Sequence, residues 1–360
     1  MSDLLNKIAI TKIPKVGTIT ARNLISYCGG VEAVFKAKRK NLEKIPGIGG
    51  KTIKEILKKD CFRIAEKELK FIQQKAISPL FYLDNNYPTR LKPYDDAPIM
   101  LYYKGTANVN HRRIVAIIGT RKPSKISRII CEELVEELKQ YNPLIISGLA
   151  YGIDATAHKK SLSVDLDTIG VLGHGLNKIY PAQHRQLAEK MLAQGGLLTE
   201  FTSDAGPNAE HFPMRNRIVA GMCDALVVVE TGKKGGSMIT AQYANDYSKD
   251  VFALPGRIKD TYAEGCNYLI KTHRAALIEG AEDIGYIMRW EEVKGNKTPI
   301  ELTPQEQVIA ALMAQTDEIS IDQLTVESKF TTSEVASFLL TMEFKGIVKA
   351  LPGKRYIMVK

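Results

Sequence analysis

Among 360 residues the chain has five cysteines and one tryptophan. Cys28, Cys61, Cys131, Cys223 and Cys266 are scattered and never spaced as CxxC. That argues against a disulfide framework and a structural zinc site, and fits a reducing compartment. No apolar run reaches membrane-spanning length, the longest being strand-sized. The first residues, MSDLLNKIAI, carry Asp3 and Lys7 and hold no apolar signal core. The expectation is a cytoplasmic protein with no membrane partner. Motifs of hydrolysis and phosphoryl transfer are missing too, since GxSxG, HExxH and a Walker A lysine do not occur. His158 follows Asp154 by four residues and reads as a capping contact before a general base. No catalytic set, no metal site and no cofactor is expected.

What is present begins with an uneven charge. Apolar residues make up 44% and charged ones 25%, which provides a large core, and the length allows two or three domains. The net charge is +10, and residues 1–75 alone hold 17 Lys/Arg against 7 Asp/Glu, also +10. The excess therefore sits in that first segment, as a nucleic-acid surface or as a solvated helical face.

The same segment repeats itself. KIPKVGTITARNLI starts at Lys12 and KIPGIGGKTIKEIL at Lys44, an offset of 32 residues with a helix over 30–40 between them. Pro and Gly give a tight hairpin and Thr starts the next helix, which is the helix-hairpin-helix pattern. Its glycines let backbone N–H groups approach a phosphate, although such hairpins also serve purely as packing elements. Residues 76–112, with FYLDNNYPTRLKPYDDAPIMLYYKG, read as an extended connector.

Residues 113–290 alternate short apolar runs with helical patterns. Strands are expected at 114–118, 144–147, 168–172, 197–200, 225–229, 251–254 and 276–278, with helices at 127–140, 181–194 and 238–250. This makes an α/β domain with a mainly parallel sheet, whose ligands bind at the carboxyl ends of the strands. Residues 300–360 read as three helices (303–314, 321–327, 332–345) and a β-wing (348–350, 355–359), a winged-helix layout. Its third helix bears Glu334 and Glu343 against Lys345, so it suits protein contact better than a DNA groove.

Glycine and basic residues recur just past the strands: Gly119, Thr120 and Arg121; Ser147 and Gly148; Lys178; and Gly235, Gly236, Ser237 and Thr240. A helix starting after Gly236 offers free N–H groups and a positive dipole end, so phosphate binding along this rim is expected. Arg215, Asn216 and Arg217 precede the 225–229 strand, beside Phe212, and need anionic partners. If one arginine is structural, Arg217 is the choice, paired with Asp224 or Glu230. GHGLNK lacks the third glycine of a dinucleotide fingerprint.

The stretches IVAIIGTRKPS, ISGLAYGIDATAH, TIGVLGHGLNKIYP, FPMRNRIVAG, GGSMITAQYA and ALPGRIKDTYAEGCNYLI occur in that order. Together with YPTRLKPYDDAPIMLYYKG they resemble the DNA-processing protein A (DprA/Smf) family, over the whole chain. The resemblance implies a Rossmann-like domain that binds single-stranded DNA in a basic pocket, forms a homodimer, protects incoming DNA and loads the RecA recombinase during natural transformation. It implies that Arg121, Arg215, Asn216, Arg217 and the Gly236–Ser237 turn meet the DNA backbone. Phe212 is available for stacking, and self-association falls near Asn267, Leu269 and Ile270. The chain departs from the family pattern at Gly235-Gly236-Ser237, where Ser-Gly-Ser is frequent, and at His174, where a small residue is usual. The rival reading is a nucleotide phosphoribohydrolase of the lysine-decarboxylase-like group. Those enzymes need a Glu in the PGGxGTxxE loop, and none follows in KKGGSMITAQ.

Overall fold

The computed structural model describes residues 2–293, 302–316 and 318–358. Of the expected modules, Met1, residues 300–301, Asp317 and the terminal Val359 and Lys360 lie outside the described residues. Two compact units emerge, Met1–Val293 and Lys294–Lys360.

The first unit is built on strands β1 (Ser78–Phe81), β2 (Met100–Gly105), β3 (Ile114–Ile118), β4 (Leu144–Ser147), β5 (Thr168–Leu172), β6 (Gly195–Thr199), β7 (Ala225–Val228), β8 (Asp250–Ala253) and β9 (Ala276–Leu277). They form one sheet in the order β1-β2-β6-β5-β4-β3-β7-β8-β9. β1 pairs antiparallel with β2 and β2 with β6, while the strands from β6 to β9 run parallel. The chain steps outward from β3 to β6 and then returns to the other side of β3 as β7. That reversal opens a crevice beyond the carboxyl ends of β3 and β7.

The apolar runs become central strands because both faces need cover. Ile114, Ala116, Ile118, Ile146, Leu226 and Val228 enter one core cluster, and Val115, Ile117, Ile145, Ala225 and Val227 the opposite one. This is the period-two alternation of a strand buried on both sides. β6 starts earlier than the apolar residues indicate. Gly195 has φ +139°, and a Cβ there would lie 1.9 Å from Thr168 O, so this glycine, outside the expected strand at 197–200, is its close-packed start.

The N-terminal repeat survives in three dimensions. Ile13 and Ile45, Ala21 and Ile53, and Leu24 and Ile56 are equivalent buried pairs, and Gly17 and Gly49 sit at extended N-cap positions before Thr18–Cys28 and Gly50–Lys58. These helices share one core with Phe81, Met100 and Tyr102 of β1 and β2. The expected helix over 30–40 is split into Val31–Lys36 and Arg39–Leu42 by Ala37, whose backbone is extended. The connector is extended in β1 and β2 and holds a 3-10 turn at Thr89–Leu91.

The second unit has helices Pro304–Met313, Ile321–Ser328 and Thr332–Phe344 with strands β10 (Ile319–Ser320), β11 (Val348–Leu351) and β12 (Arg355–Met358), ordered β10-β12-β11. Thr303 with Glu306 and Thr331 with Glu334 form capping boxes. Ile309, Leu324, Val335, Leu339 and Met342 form its core. Among the described residues no helix is long and apolar enough to cross a membrane.

Candidate functional site

A cleft of about 1050 Å³ opens at the carboxyl ends of β3, β4 and β7. Its rim is made by turns whose geometry is set by glycine. Gly152, at φ +82°, lies so close to the loop after β3 that a Cβ would strike Thr120 O at 2.2 Å. Thr120 N donates to Glu230 O (2.7 Å), and Ile153 N to Thr120 O (3.2 Å). The loop is thereby fixed between β7 and the helix Ile153–Ser163, and Arg121 is left exposed with its guanidinium 5.8 Å from the centre of the Phe212 ring.

Helix His211–Met222 supplies the opposite wall, with Pro213 in its first turn, where proline is tolerated. Arg215 lines the cleft although it is buried, and its Nη1 donates to Val171 O at 2.5 Å. Buried Asp154 faces the same space. A Cβ on Gly148 would meet Arg215 Nη1 at 2.1 Å and Asp154 Oδ2 at 2.4 Å, so the two charges flank that glycine. Burial lowers the Arg215 pKa and raises that of Asp154, and each charge opposes the other's shift. Asn216 reaches across, its Nδ2 3.5 Å from Gly236 O.

Gly235 is the N-cap of helix Gly236–Asp246, and a side chain there would strike Thr231 Oγ1 at 2.3 Å. At Gly236 a Cβ would meet nothing within 4 Å. Ser237 Oγ turns inward and donates to Thr231 Oγ1 (2.6 Å), which fixes the turn and leaves its backbone as the exposed surface. The first N–H groups of such a helix have no helical acceptor and favour an anion. Thr240 lines the same wall, as do Gly119 and Thr120 opposite it. Lys122 and Lys234 complete the set. Four cations line the cleft (Arg121, Lys122, Arg215, Lys234), against the single carboxylate of Asp154.

Several expected residues stand elsewhere. Ser147 is 0% exposed, and its Oγ donates to Ile117 O at 2.6 Å inside the sheet. Lys178 is exposed but lines no part of the cleft; its Nζ would lie 3.7 Å from a Cβ on Gly206. Arg217 is 8% exposed and points away, with Nη2 on Glu200 Oε2 (2.5 Å) and Nη1 on Asp96 O (2.5 Å). Residues two apart on a helix do not share a face, so Arg215 and Arg217 cannot both reach the rim. Arg217, expected on the DNA backbone, is instead held inside the protein, and its partner is Glu200 rather than Asp224 or Glu230. Asp224 is held by Arg90, and Glu230 accepts from Ser124 N. His158 does not cap Asp154. Its buried ring joins Gly148 O (2.5 Å from Nε2) to Thr168 Oγ1 (2.6 Å from Nδ1), and burial pushes its pKa down to about 4.

In the segment expected to self-associate, Leu269 is 2% exposed and belongs to the main core. Asn267 uses both ends of its amide on Gly256 (3.1 and 2.9 Å), and Ile270 is half-buried against the same core. The exposed apolar groups here are Tyr268 and Leu277.

Residues missed from the sequence include Lys122, Lys234, Asp154 and Tyr180. The two lysines lie in the same glycine-bearing loops as Arg121 and Gly235, so their position was a usable signal. Asp154 carries none, because its role depends on Gly148 and Arg215 meeting across the fold.

Residues 78–289 match the family model for DNA recombination-mediator protein A, residues 295–354 the DprA winged helix domain, and residues 7–59 a SAM-like helix-hairpin-helix tandem. Protein Smf of Synechocystis is 31% identical, over 97% of this chain and 97% of that protein. DNA processing protein DprA of Streptococcus pneumoniae is 37% identical, over 56% of this chain and 71% of the relative. Its X-ray structure superposes with a TM-score of 0.69 at 30% identity, over 80% of this chain and 99% of that one. DNA processing protein A from Helicobacter pylori, whose structure concerns its single-stranded DNA binding mode, gives a TM-score of 0.54 at 29% identity, over 60% of this chain and 97% of that one.

Proposed function

Because the chain belongs to the DNA-processing protein A (DprA/Smf) family, we propose that its cleft binds single-stranded DNA by the phosphate backbone. The observation that carries this is the charge of one open cleft: four cations and a glycine turn at a helix N-terminus, with one carboxylate among them. Single strands suit such a site because positive grooves with nearby aromatic rings need no base sequence. The bound strand is incoming DNA in transformation, protected in the cleft and passed to the RecA recombinase. The working particle is a homodimer in the cytoplasm, which places two clefts on one strand. No reaction is assigned to the site.

The test is a salt titration with a thymidine oligomer and a matching duplex. Asp154 offsets part of the Arg215 charge, so about three phosphates should be neutralised, giving a log–log salt slope of about −2 for a single strand. Arg121→Ala should weaken binding about tenfold, the worth of one charge-assisted contact. Equal affinity for the duplex, or a flat salt dependence, rejects the proposal.

A further inference from the structure

The one carboxylate of the cleft occupies a place that would suit a phosphate. Asp154 stands in the first turn of the helix Ile153–Ser163, the end whose dipole favours an anion. Its Oδ2 accepts from Ala150 N at 3.3 Å. Across Gly148 it faces Arg215 Nη1, and the Arg121 guanidinium adds a weaker attraction. A helix N-terminus, a loop N–H and two guanidiniums are groups with which proteins hold a nucleic-acid backbone. Asp154 lines the cleft as both arginines do, so a strand entering there meets this carboxylate.

Nothing else close by offsets its charge at neutral pH. The Ser147 hydroxyl at the end of β4 is uncharged. On the helix Lys125–Leu138, burial pushes the Cys131 thiol up to about 12, so it stays protonated. On the helix of Asp154 itself, the His158 ring is neutral, with its pKa pushed down to about 4 and Nε2 on Gly148 O. Asp154 and Arg215 are both almost fully buried, where water screens a charge poorly and each feels the other strongly. A phosphate brought to Arg215 would therefore be attracted by the guanidinium and repelled by the carboxylate at once.

We infer that Asp154 is an internal stand-in for phosphate that limits the grip of the cleft: it holds Arg215 and the Ala150 N–H in the unbound protein, opposes the incoming backbone, and keeps a bound strand releasable. This rests on the reading of the cleft as a strand-binding surface and adds to it the residue that sets how fast a strand leaves.

Full-length Asp154→Asn removes the charge while keeping the volume and an acceptor for Ala150 N. On a thymidine oligomer at low salt it should bind about tenfold tighter than the parent, the size of an interaction worth one pKa unit. Most of the gain should appear as slower dissociation. The log–log salt slope should steepen by about 0.7, one further phosphate on a single strand. Burial holds the Asp154 carboxyl above the ordinary carboxylate value, so acid protonates it and removes the repulsion. The parent should therefore approach the variant as the pH falls from about 7 to about 4.5, while histidines titrate in both proteins and cancel in the comparison. A variant that melts like the parent but binds equally or more weakly makes Asp154 a positioning residue for Arg215 and overturns the inference, leaving the cleft reading intact. If the Asn variant does not fold, Asp154→Ser carries the same comparison. If neither folds, the parent decides: affinity that keeps rising below about pH 5.5, where ordinary histidines are already charged, supports the inference, and a flat profile there overturns it. Absence of binding by the parent under every condition rejects the cleft itself, and this inference with it.

Discussion

Arg215 and Arg217 sit two positions apart and meet opposite fates, and the difference should appear in separate measurements. Glu200 is nearly as buried as its partner, with side-chain exposures of 10% for Arg217 and 11% for Glu200. Arg217→Ala would strand that carboxylate, and removal of one member of a buried pair costs about 3–5 kcal/mol. A thermal melt should show the large loss, while DNA affinity per folded molecule at low temperature stays within about twofold. An unchanged melting temperature would contradict the assignment. Residue identity was legible in the sequence wherever chemistry alone narrowed the role, as with Arg121 beside Gly119. It was not legible where the partner lies far along the chain. Arg217 meets Asp96 and Glu200, and His158 joins Gly148 to Thr168; no local spacing encodes either arrangement.

At the scale of elements, strands were easier to place than their ends. β3, β4 and β5 lie where continuous apolar runs put them, because a strand buried on both faces has no other composition available. β6 begins at two glycines, whose value lies in the close approach of neighbouring strands and is invisible without them. The short helix Glu264–Lys271 shows the same limit: Leu269 and Ile270 read as an interface where no long-range contact is visible. Here Leu269 is core and Tyr268 is exposed, so substitutions one residue apart should part company. Leu269→Ala should cost about 2–5 kcal/mol and lower the melting temperature. Tyr268→Glu should melt like the parent and, under the proposed homodimer, sediment as a monomer. A Tyr268→Glu protein that remains dimeric moves the interface elsewhere.

At the scale of the whole molecule, the positive excess of residues 1–75 invites the expectation that their deletion trims affinity and nothing more. The packing argues otherwise. Phe81, Met100 and Tyr102 lie in one core with Ile8, Leu24 and Ile53, and Glu68 accepts from Ser203 N at 2.9 Å, so truncation would bare apolar surface on the sheet unit. The expected result is a protein that aggregates or melts far lower. Removal of residues 294–360 takes away a unit with its own core and should leave the melting of the remainder close to that of the parent. Calorimetry on both truncations checks the pair, and a soluble, parent-like product of the first deletion would refute the shared core.

That seam also bears on how a long strand is held. Lys7 bonds Asp84 (2.8 Å), Lys12 reaches Thr202, and Glu68 holds Ser203, so the hairpin helices are bolted to the sheet rather than hung from it. The exposed second hairpin, Gly47 to Gly50, thus stands at a fixed span from the cleft. A flexible tether would have to give up chain entropy each time both surfaces engaged one strand. A rigid mount gives up none, so any grip the hairpin adds is delivered at full strength, and only to strands long enough to cover the distance.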